Sequence, residues 1–546
     1  MDGALPMRAV DPMSDGRTGN RPGVALIGFQ KMGNLGLGYL SAVLREAGYP
    51  VEVIDIEASP EEISARVLAC RPILVGFSLI FQFYIRHTAQ MMGALRRAGV
   101  EAHFTMGGHY PTLSSSATLR AAPELDSLVR FEGETTLLEL VRTLEDGGDW
   151  RSIEGLVWRG PGGEAVANPP RALAHDLDDL PFPDRDFAPM SILGRKIMPI
   201  LASRGCARTC SFCSIHTFYR SAPGKVVRLR RPAEVVREMR MLHDEQGVSV
   251  FLFQDDDFPL FGPKWRAWAG ELCDAIEAAG LAQRIIWKLN CRADAVEPTL
   301  LARMRKAGLY LVYMGLESGT EEGLITLHKQ ITVEQNLRAV RVLKDIGLRF
   351  EFGFMLLDPS STFASIRGNI AFLREIVGDG CAPATFCKML PYDGTPIKES
   401  LETAGRLKGD VCAPDYDFLD PRLDEFYDTL ARVMEVTGWV HGPRALTMQL
   451  EWALSEVSVL RALFPALAGI DAYEAALRRH TARSNEGLFQ VVEAVADLHE
   501  TGAGVAPDAA VLRARCDETL ATVIAERDAF ISRHEDVLLR ALRLAA

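Results

Sequence analysis

From Gly23 onward the chain alternates short apolar stretches with amphipathic helical ones, pauses, and then repeats the pattern, and this limits its fold more than anything else. In the first block, residues 24–28, 51–56, 73–78, 103–106 and 128–131 read as strands. Residues 35–48, 60–69, 86–98 and 135–144 carry helical spacing between them. Strands joined through helices pair in parallel, so the expectation is a doubly wound α/β sheet of about 125 residues. Such sheets bind ligands at the carboxyl ends of their strands.

A connector follows. Residues 155–158 and 163–167 predict a hairpin, and DLDDLPFPDRD at 176–186 is too rich in Pro and Asp to be helix throughout. The second alternating block has strand candidates at 198–203, 250–254, 285–289, 310–315, 350–357 and 385–390. Helical patterns at 232–245, 265–279, 298–307 and 333–346 separate them. Six such units predict a partial (β/α)6 or complete α/β barrel, with chemistry at the strand C-termini. Beyond about 410 the glycine-rich turns stop, since only 6 of the 46 glycines lie in 411–546. Phe426, Leu430 and Val433 then keep helical spacing, which predicts an all-helical C-terminal domain. The expected division is a disordered leader 1–22, a sheet domain 23–150, a linker with hairpin 151–196, a barrel 197–400 and a helical domain 401–546.

At 546 residues the chain has ample length for buried cores, and 24% charged against 48% hydrophobic residues is ordinary globular composition. A formal charge of −12 argues against a sequence-independent grip on nucleic acid. Arg greatly outnumbers Lys, which reads as the codon usage of a GC-rich genome. The leader has no apolar core of a signal peptide, and the longest apolar run, 73–81, is too short to span a membrane. The expectation is a cytoplasmic protein with reduced thiols.

Ten cysteines are present, and three fall within eight residues: Cys206-Ala-Arg-Thr-Cys210-Ser-Phe-Cys213, directly after the first strand of the second block. Three thiolates so spaced suit a compact loop around a multi-iron centre. A structural zinc takes four ligands, and no fourth Cys or His stands at zinc-finger spacing, His216 being an awkward fit. Three ligands on a four-iron cluster leave one iron open, as catalysis requires.

With these residues the second block resembles the radical S-adenosylmethionine (SAM) enzymes, CARTCSFC matching their CxxxCxxC loop. The likeness extends through DDDF at 255–258, CRAD at 291–294, GLESG at 315–319 and PYDGTP at 391–396. It implies a [4Fe-4S] cluster on Cys206, Cys210 and Cys213 whose open iron chelates SAM. It also implies Phe212 against the adenine, Asp255 or Asp256 at the methionine ammonium, and Arg292 and Glu317 at the carboxylate and ribose. Plainer readings stand beside these: a solvated turn at 255–257, a local Arg292–Asp294 ion pair, and Glu317 at a helix N-terminus. After the fifth strand, Gly353-Phe-Met-Leu-Leu-Asp358 departs from the family's glycine-rich pattern.

The first block resembles the Rossmann-like cobalamin-binding domain that precedes the barrel in one large branch of that family. The matching segments are Gly36-Leu-Gly-Tyr-Leu-Ser-Ala, Gly107-Gly-His-Tyr-Pro-Thr112, Arg130-Phe-Glu-Gly-Glu-Thr135 and the 176–186 linker. The resemblance implies cobalamin contacts from Ser78, Leu79, Gly107, Gly108, His109, Thr112, Glu132, Gly133 and Glu134. The loop 28–34 holds no histidine, so cobalamin is expected base-off without a protein histidine on cobalt, its lower face shielded by residues 79–81. The implied activity is a cobalamin-dependent radical SAM methyltransferase: reduced cluster cleaves SAM, hydrogen leaves the substrate, and methylcobalamin supplies methyl. The acceptor would be an unactivated carbon or a phosphinate phosphorus of a small-molecule intermediate in antibiotic biosynthesis, with flavodoxin or ferredoxin as electron donor. Alternatives are an oxidative cyclase of the same branch, a tRNA methylthiotransferase, which the charge and the helical tail disfavour, and a cobalamin sensor. Trp439, Trp452 and Tyr473 are candidates either for a lid over the barrel mouth or for the tail's own core.

Overall fold

A computed structural model describes residues 21–545 except 32, 441 and 443, so the leader expected over 1–22 lies almost wholly outside the described residues. The first sheet contains Gly23–Gly28, Val51–Asp55, Pro72–Ser78, His103–Gly107 and Ser127–Val129, all parallel in the order 2-1-3-4-5. Val24, Ala25, Leu26 and Ile27 are buried along one strand because helices cover both faces. The fifth strand ends earlier than the apolar pattern predicts: Phe131 leaves it with a left-handed backbone, φ 62°. The expected hairpin forms at Leu156–Arg159 and Ala165–Ala167, yet it adds to the first sheet antiparallel instead of standing as a linker. In this strand order the direction of winding switches between the first and third strands, where a ligand crevice opens.

The Pro/Asp-rich stretch is a clasp held on both sides. Asp184 accepts from Ser41 Oγ at 2.6 Å and from Arg45 at 3.0 Å on the first domain. Asp178 pairs with Arg230 and Arg231, and Arg185 with the buried Glu238, on the barrel. Prolines keep this segment extended, which lets its acids reach both domains.

The second sheet is an open, curled half-barrel. Six parallel strands run in chain order: Arg195–Ile200, Val248–Phe253, Ile286–Arg292, Leu309–Glu317, Arg349–Leu357 and the short Cys387–Lys388. Met190–Ile192 adds one antiparallel edge strand that the sequence pattern did not reveal. Covering helices begin where their residues dictate: Pro at the first turn of Pro232–Gln246, and a Thr332/Gln335 capping box at Val333–Asp345.

The C-terminal region is helical from Pro421, after a small hairpin, Leu407–Asp410 with Ala413–Tyr416, inside the stretch expected to be all helix. Its helices share one continuous apolar core with the barrel. They close the barrel floor and form no lid. Arg349, at the start of its strand, donates to the Glu451 carbonyl at 3.1 Å, and Arg195, likewise at a strand start, donates to the Leu463 carbonyl at 3.0 Å. Trp439 donates to Ser484 Oγ and Tyr473 stacks on Phe530 at 4.6 Å, so both are core of the tail itself. Trp452 is 37% exposed on the surface. Among the described residues no helix is long and apolar enough to cross a membrane.

Candidate cofactor chamber

The carboxyl ends of both sheets face each other across one cavity of about 660 Å³. The first domain supplies Ser78, Gly107, Gly108, His109, Glu132, Gly133 and Glu134 to its wall; the barrel supplies Ser203, Arg204, Gln254 and Asp256. Leu79 and Thr112 lie just behind that wall, Leu79 buried and Thr112 accepting from the Phe131 amide. A deep slot continues between Leu26, Gly76, Thr105 and Val129 on the sheet and Leu40 and Leu137 on the helices. The wall also leaves Ile80 and Phe81 nearly half exposed, large apolar side chains awaiting a cover.

Backbone conformation shapes the chamber at Gly108. Its φ is 115°, and a Cβ there would sit 2.3 Å from the Leu79 carbonyl oxygen, so the strand-end loops meet closely only because the position is glycine. Next to it, His109 is half-buried, its Nε2 enclosed and unpartnered and its ring against Phe218 at 4.4 Å. An orphaned donor or acceptor beside the Phe218 ring on this wall fits a large, amide-fringed ligand such as cobalamin.

Burial holds His109 down to about 4, and it does the same for His103, bonded to Ser127 Oγ at 2.8 Å under Trp150. Both folded values lie below the unfolded value of about 6.5, so this stability is complete above that pH and is lost as pH falls toward 4. Between pH 7 and 5 each histidine should cost the first domain roughly 2 kcal/mol. Hydrogen-exchange protection of His103–Gly107, corrected for intrinsic rates, should fall accordingly, and His103→Asn should remove one histidine's share.

The cysteine loop leaves the first barrel strand through Gly205. That residue has φ 89°, with the Val226 carbonyl 2.0 Å from where a Cβ would stand. The Ser211 amide donates to the Leu327 carbonyl at 3.0 Å and the Ile397 amide to the Ser211 carbonyl at 3.0 Å, strapping the loop to two barrel segments. Cys210 is buried, with Arg292 Nη1 3.6 Å from its sulfur. Burial, with Asp257 adding, pushes the Cys206 thiol up to about 12, and burial raises Cys213 to about 11, so only a strongly cationic group would take them as thiolates. No three ligating side chains among the described residues converge on one point, as a single ion would require. The three thiols of the loop are near enough for Cys213 to act on Cys206 and Cys210 on Cys213. Phe212 packs against the barrel core beside the loop.

The structure brings some expected SAM contacts together and turns others aside. Asp255 is directed inward, accepting from Ser203 Oγ at 2.5 Å and from the Ala202 amide. Asp256 faces the chamber and accepts only from the Gly205 amide. Burial raises Asp255 to about 7 and Asp256 and Asp257 to about 6, against the pull of Arg204 and Arg228 on Asp256 and of Arg208, Arg292 and Lys329 on Asp257; a bound ammonium would further favour the charged form of the chamber-facing Asp256. Arg292 makes the local ion pair with Asp294 at 3.0 Å while also reaching Cys210. Glu317 has φ 65°, a strained backbone for a non-glycine residue, and its carboxylate takes Lys329 Nζ at 2.9 Å.

Lys329 escaped the sequence reading. It is buried, and it sits between two further left-handed residues, His328 (φ 47°) and Gln330 (φ 58°). Its only sequence signal is a lysine in a chain that has few. Also unforeseen is the work of Glu132 and Glu134. Both line the chamber, but their carboxylates take Arg204, with Arg228 also on Glu132, tying the first domain to the strand just before Cys206.

Known proteins agree with this geometry. Residues 28–141 match the B12 binding domain and residues 200–373 the Radical SAM superfamily. An uncharacterized methyltransferase of Pyrococcus horikoshii is 30% identical over 67% of this chain and 77% of its own length. The anaerobic magnesium-protoporphyrin IX monomethyl ester cyclase of Rubrivivax gelatinosus is 29% identical over 62% of this chain and 61% of its own length. The solved structure of OxsB, a cobalamin-dependent SAM radical enzyme with aqua-cobalamin and SAM bound, superposes with a TM-score of 0.64 at 18% identity, covering 93% of this chain and 84% of OxsB. The chain therefore belongs to the cobalamin-dependent radical SAM methyltransferase family, whose cofactors are a [4Fe-4S] cluster, SAM and cobalamin.

Proposed function

We propose that this enzyme methylates an unactivated carbon, or a phosphinate phosphorus, of a small-molecule natural-product intermediate in a reducing cytoplasm. The observation that carries this reading is the chamber walled by the strand-end loops of the first domain and by Ser203, Arg204 and Asp256 of the barrel, at the point where the chain enters the Cys206 loop, which sets the two cofactor sites side by side. When bound, the cluster with SAM supplies hydrogen abstraction and cobalamin supplies the methyl group.

The chain's own residues prepare the ground. Cys206, Cys210 and Cys213 hold the cluster, and Phe212 flanks the adenine. Asp256, facing the chamber and bonded to the Gly205 amide, takes the methionine ammonium, while Asp255 fixes the turn that aims it. Arg292 neutralises the SAM carboxylate beside Cys210, and Glu317, oriented by Lys329, accepts from the ribose hydroxyls. Ser78, Gly107, Gly108, His109 and Gly133 form the cobalamin seat. Ile80 and Phe81, exposed and apolar, shield the lower face of a base-off cobalamin and keep water from it. An electronic spectrum of histidine-ligated cobalamin would contradict that seat.

Product balance tests the activity. With methyl-labelled SAM, 5′-deoxyadenosine and S-adenosylhomocysteine should form in equal amounts with labelled product. Oxidative ring closure, the reading suggested by the cyclase relative, would give 5′-deoxyadenosine with no S-adenosylhomocysteine.

A further inference from the structure

Resting on the family reading, the cluster works in its reduced state, so an electron must reach the loop Cys206–Cys213 from another molecule. That loop comes to the surface at Ala207, with Thr209 half-buried beside it. Arg220 holds it there by donating to the Ala207 carbonyl at 3.2 Å, and His328 Nδ1 lies 2.8 Å from the Thr209 carbonyl. Beside it stands Phe261, 46% exposed, with the Arg208 guanidinium 3.9 Å over its ring.

Exposed cations flank this loop and Phe261 along the chain. Lys264, the second residue of the helix Pro263–Ala278 that follows Phe261, and Lys225, next to the Val226 carbonyl under Gly205, are both exposed. Together with Arg220 they make no ion pair among the described residues. Asp257, buried, and Asp294, half-buried, are taken by Arg208, at 3.8 Å and 3.1 Å, and Glu297 is engaged in capping the helix Pro298–Lys306. On a chain of net charge −12 such an uncompensated basic rim is against the average. An exposed aromatic inside a charged rim has the make-up of a protein-docking surface, and the rim favours a partner of opposite sign.

We propose that the face formed by Phe261, Arg220, Lys225 and Lys264 docks an acidic protein carrying a low-potential one-electron centre. One electron passes from the reduced partner to the cluster; the partner leaves oxidised by that electron, and no bond is made or broken. Opposite charges steer the encounter and set its salt dependence.

The test follows anaerobic bleaching of the cluster in the full-length protein by a reduced acidic flavodoxin, and separately by dithionite. Lys225→Glu/Lys264→Glu should slow reduction by flavodoxin on the order of 10-fold or more at low salt, with the dithionite rate within about 2-fold. The wild-type flavodoxin rate should fall as salt is raised, and Phe261→Ser should weaken the approach at every salt concentration. An unchanged flavodoxin rate in the double variant overturns the proposal, as does a wild-type rate indifferent to salt, even should the double variant fail to hold its cluster. Wild-type protein that binds no cluster, or whose cluster dithionite does not bleach, would instead overturn the family reading on which the docking face depends.

Discussion

Cys210→Ala should abolish the iron–sulfur chromophore and reduce methyl transfer to background, while far-UV circular dichroism stays that of the wild type. Cys210 is the most buried of the three thiols, and two cations, Arg292 and Lys329, lie beside it. Removing its sulfur leaves those cations facing two thiols too few to hold a cluster. The reaction has no route without the cofactor, so the loss is total and not graded. The fold has no such dependence: the loop is strapped by backbone hydrogen bonds to Leu327 and Ile397, and the barrel core is complete without the metal. Cys516→Ser is the matching control. That thiol is buried among helices at the far end of the chain, and its replacement should leave iron and sulfide content unchanged. Iron retained in Cys210→Ala at wild-type stoichiometry would remove the three-cysteine assignment.

The same loop shows how far a sequence can be read. Cysteine spacing is local, so the three-cysteine loop stands out within eight residues. The alternation of strands was legible too, because the periods of helix and strand differ within a window of a few residues. What stayed hidden depends on which surfaces meet. Residues 155–167 carry a good hairpin pattern, but nothing local says that it joins the first sheet. The helices after Pro421 have an apolar face that would suit a lid or a floor equally well; Arg349 and Arg195, far away in sequence, decide for the floor. Among three adjacent aspartates only the bend of the chain turns Asp256 toward the chamber and Asp255 into the turn. Lys329 is one lysine in an ordinary-looking stretch, and the backbone strain on either side of it is invisible until the fold is formed. The loop Glu132-Gly-Glu134 is the sharpest case. The resemblance implies that it contacts cobalamin; nothing in the sequence implies that its carboxylates bond to the barrel.

That bond supports the second large effect. Glu132→Ala should destabilise the cofactor-free chain by about 3–5 kcal/mol, because it breaks a buried charge network on one side only. Glu132 accepts from Arg204 at 3.1 Å, from Arg228 at 2.7 Å and from the Ala174 amide at 2.8 Å, and Glu134 accepts from Arg204 at 2.7 Å. Burial alone would raise the Glu132 carboxyl, but Arg204 and Arg228 hold it below the usual carboxylate range. Arg228 is 2% exposed, and its Nε and Nη2 already have no partner. Without Glu132 it keeps one carbonyl, that of Ala174, to offset a buried charge. Removing both partners relieves that charge, so Glu132→Ala/Arg228→Met should recover much of the loss, a coupling that a double-mutant cycle measures directly. The urea midpoint of cofactor-free protein is the decisive reading, since a residue that served only to bind cobalamin would leave it unmoved. Arg204 stands two residues before Cys206, so the same change should also loosen the cluster loop, and cluster content after gel filtration should fall in Glu132→Ala and rise again in the double variant.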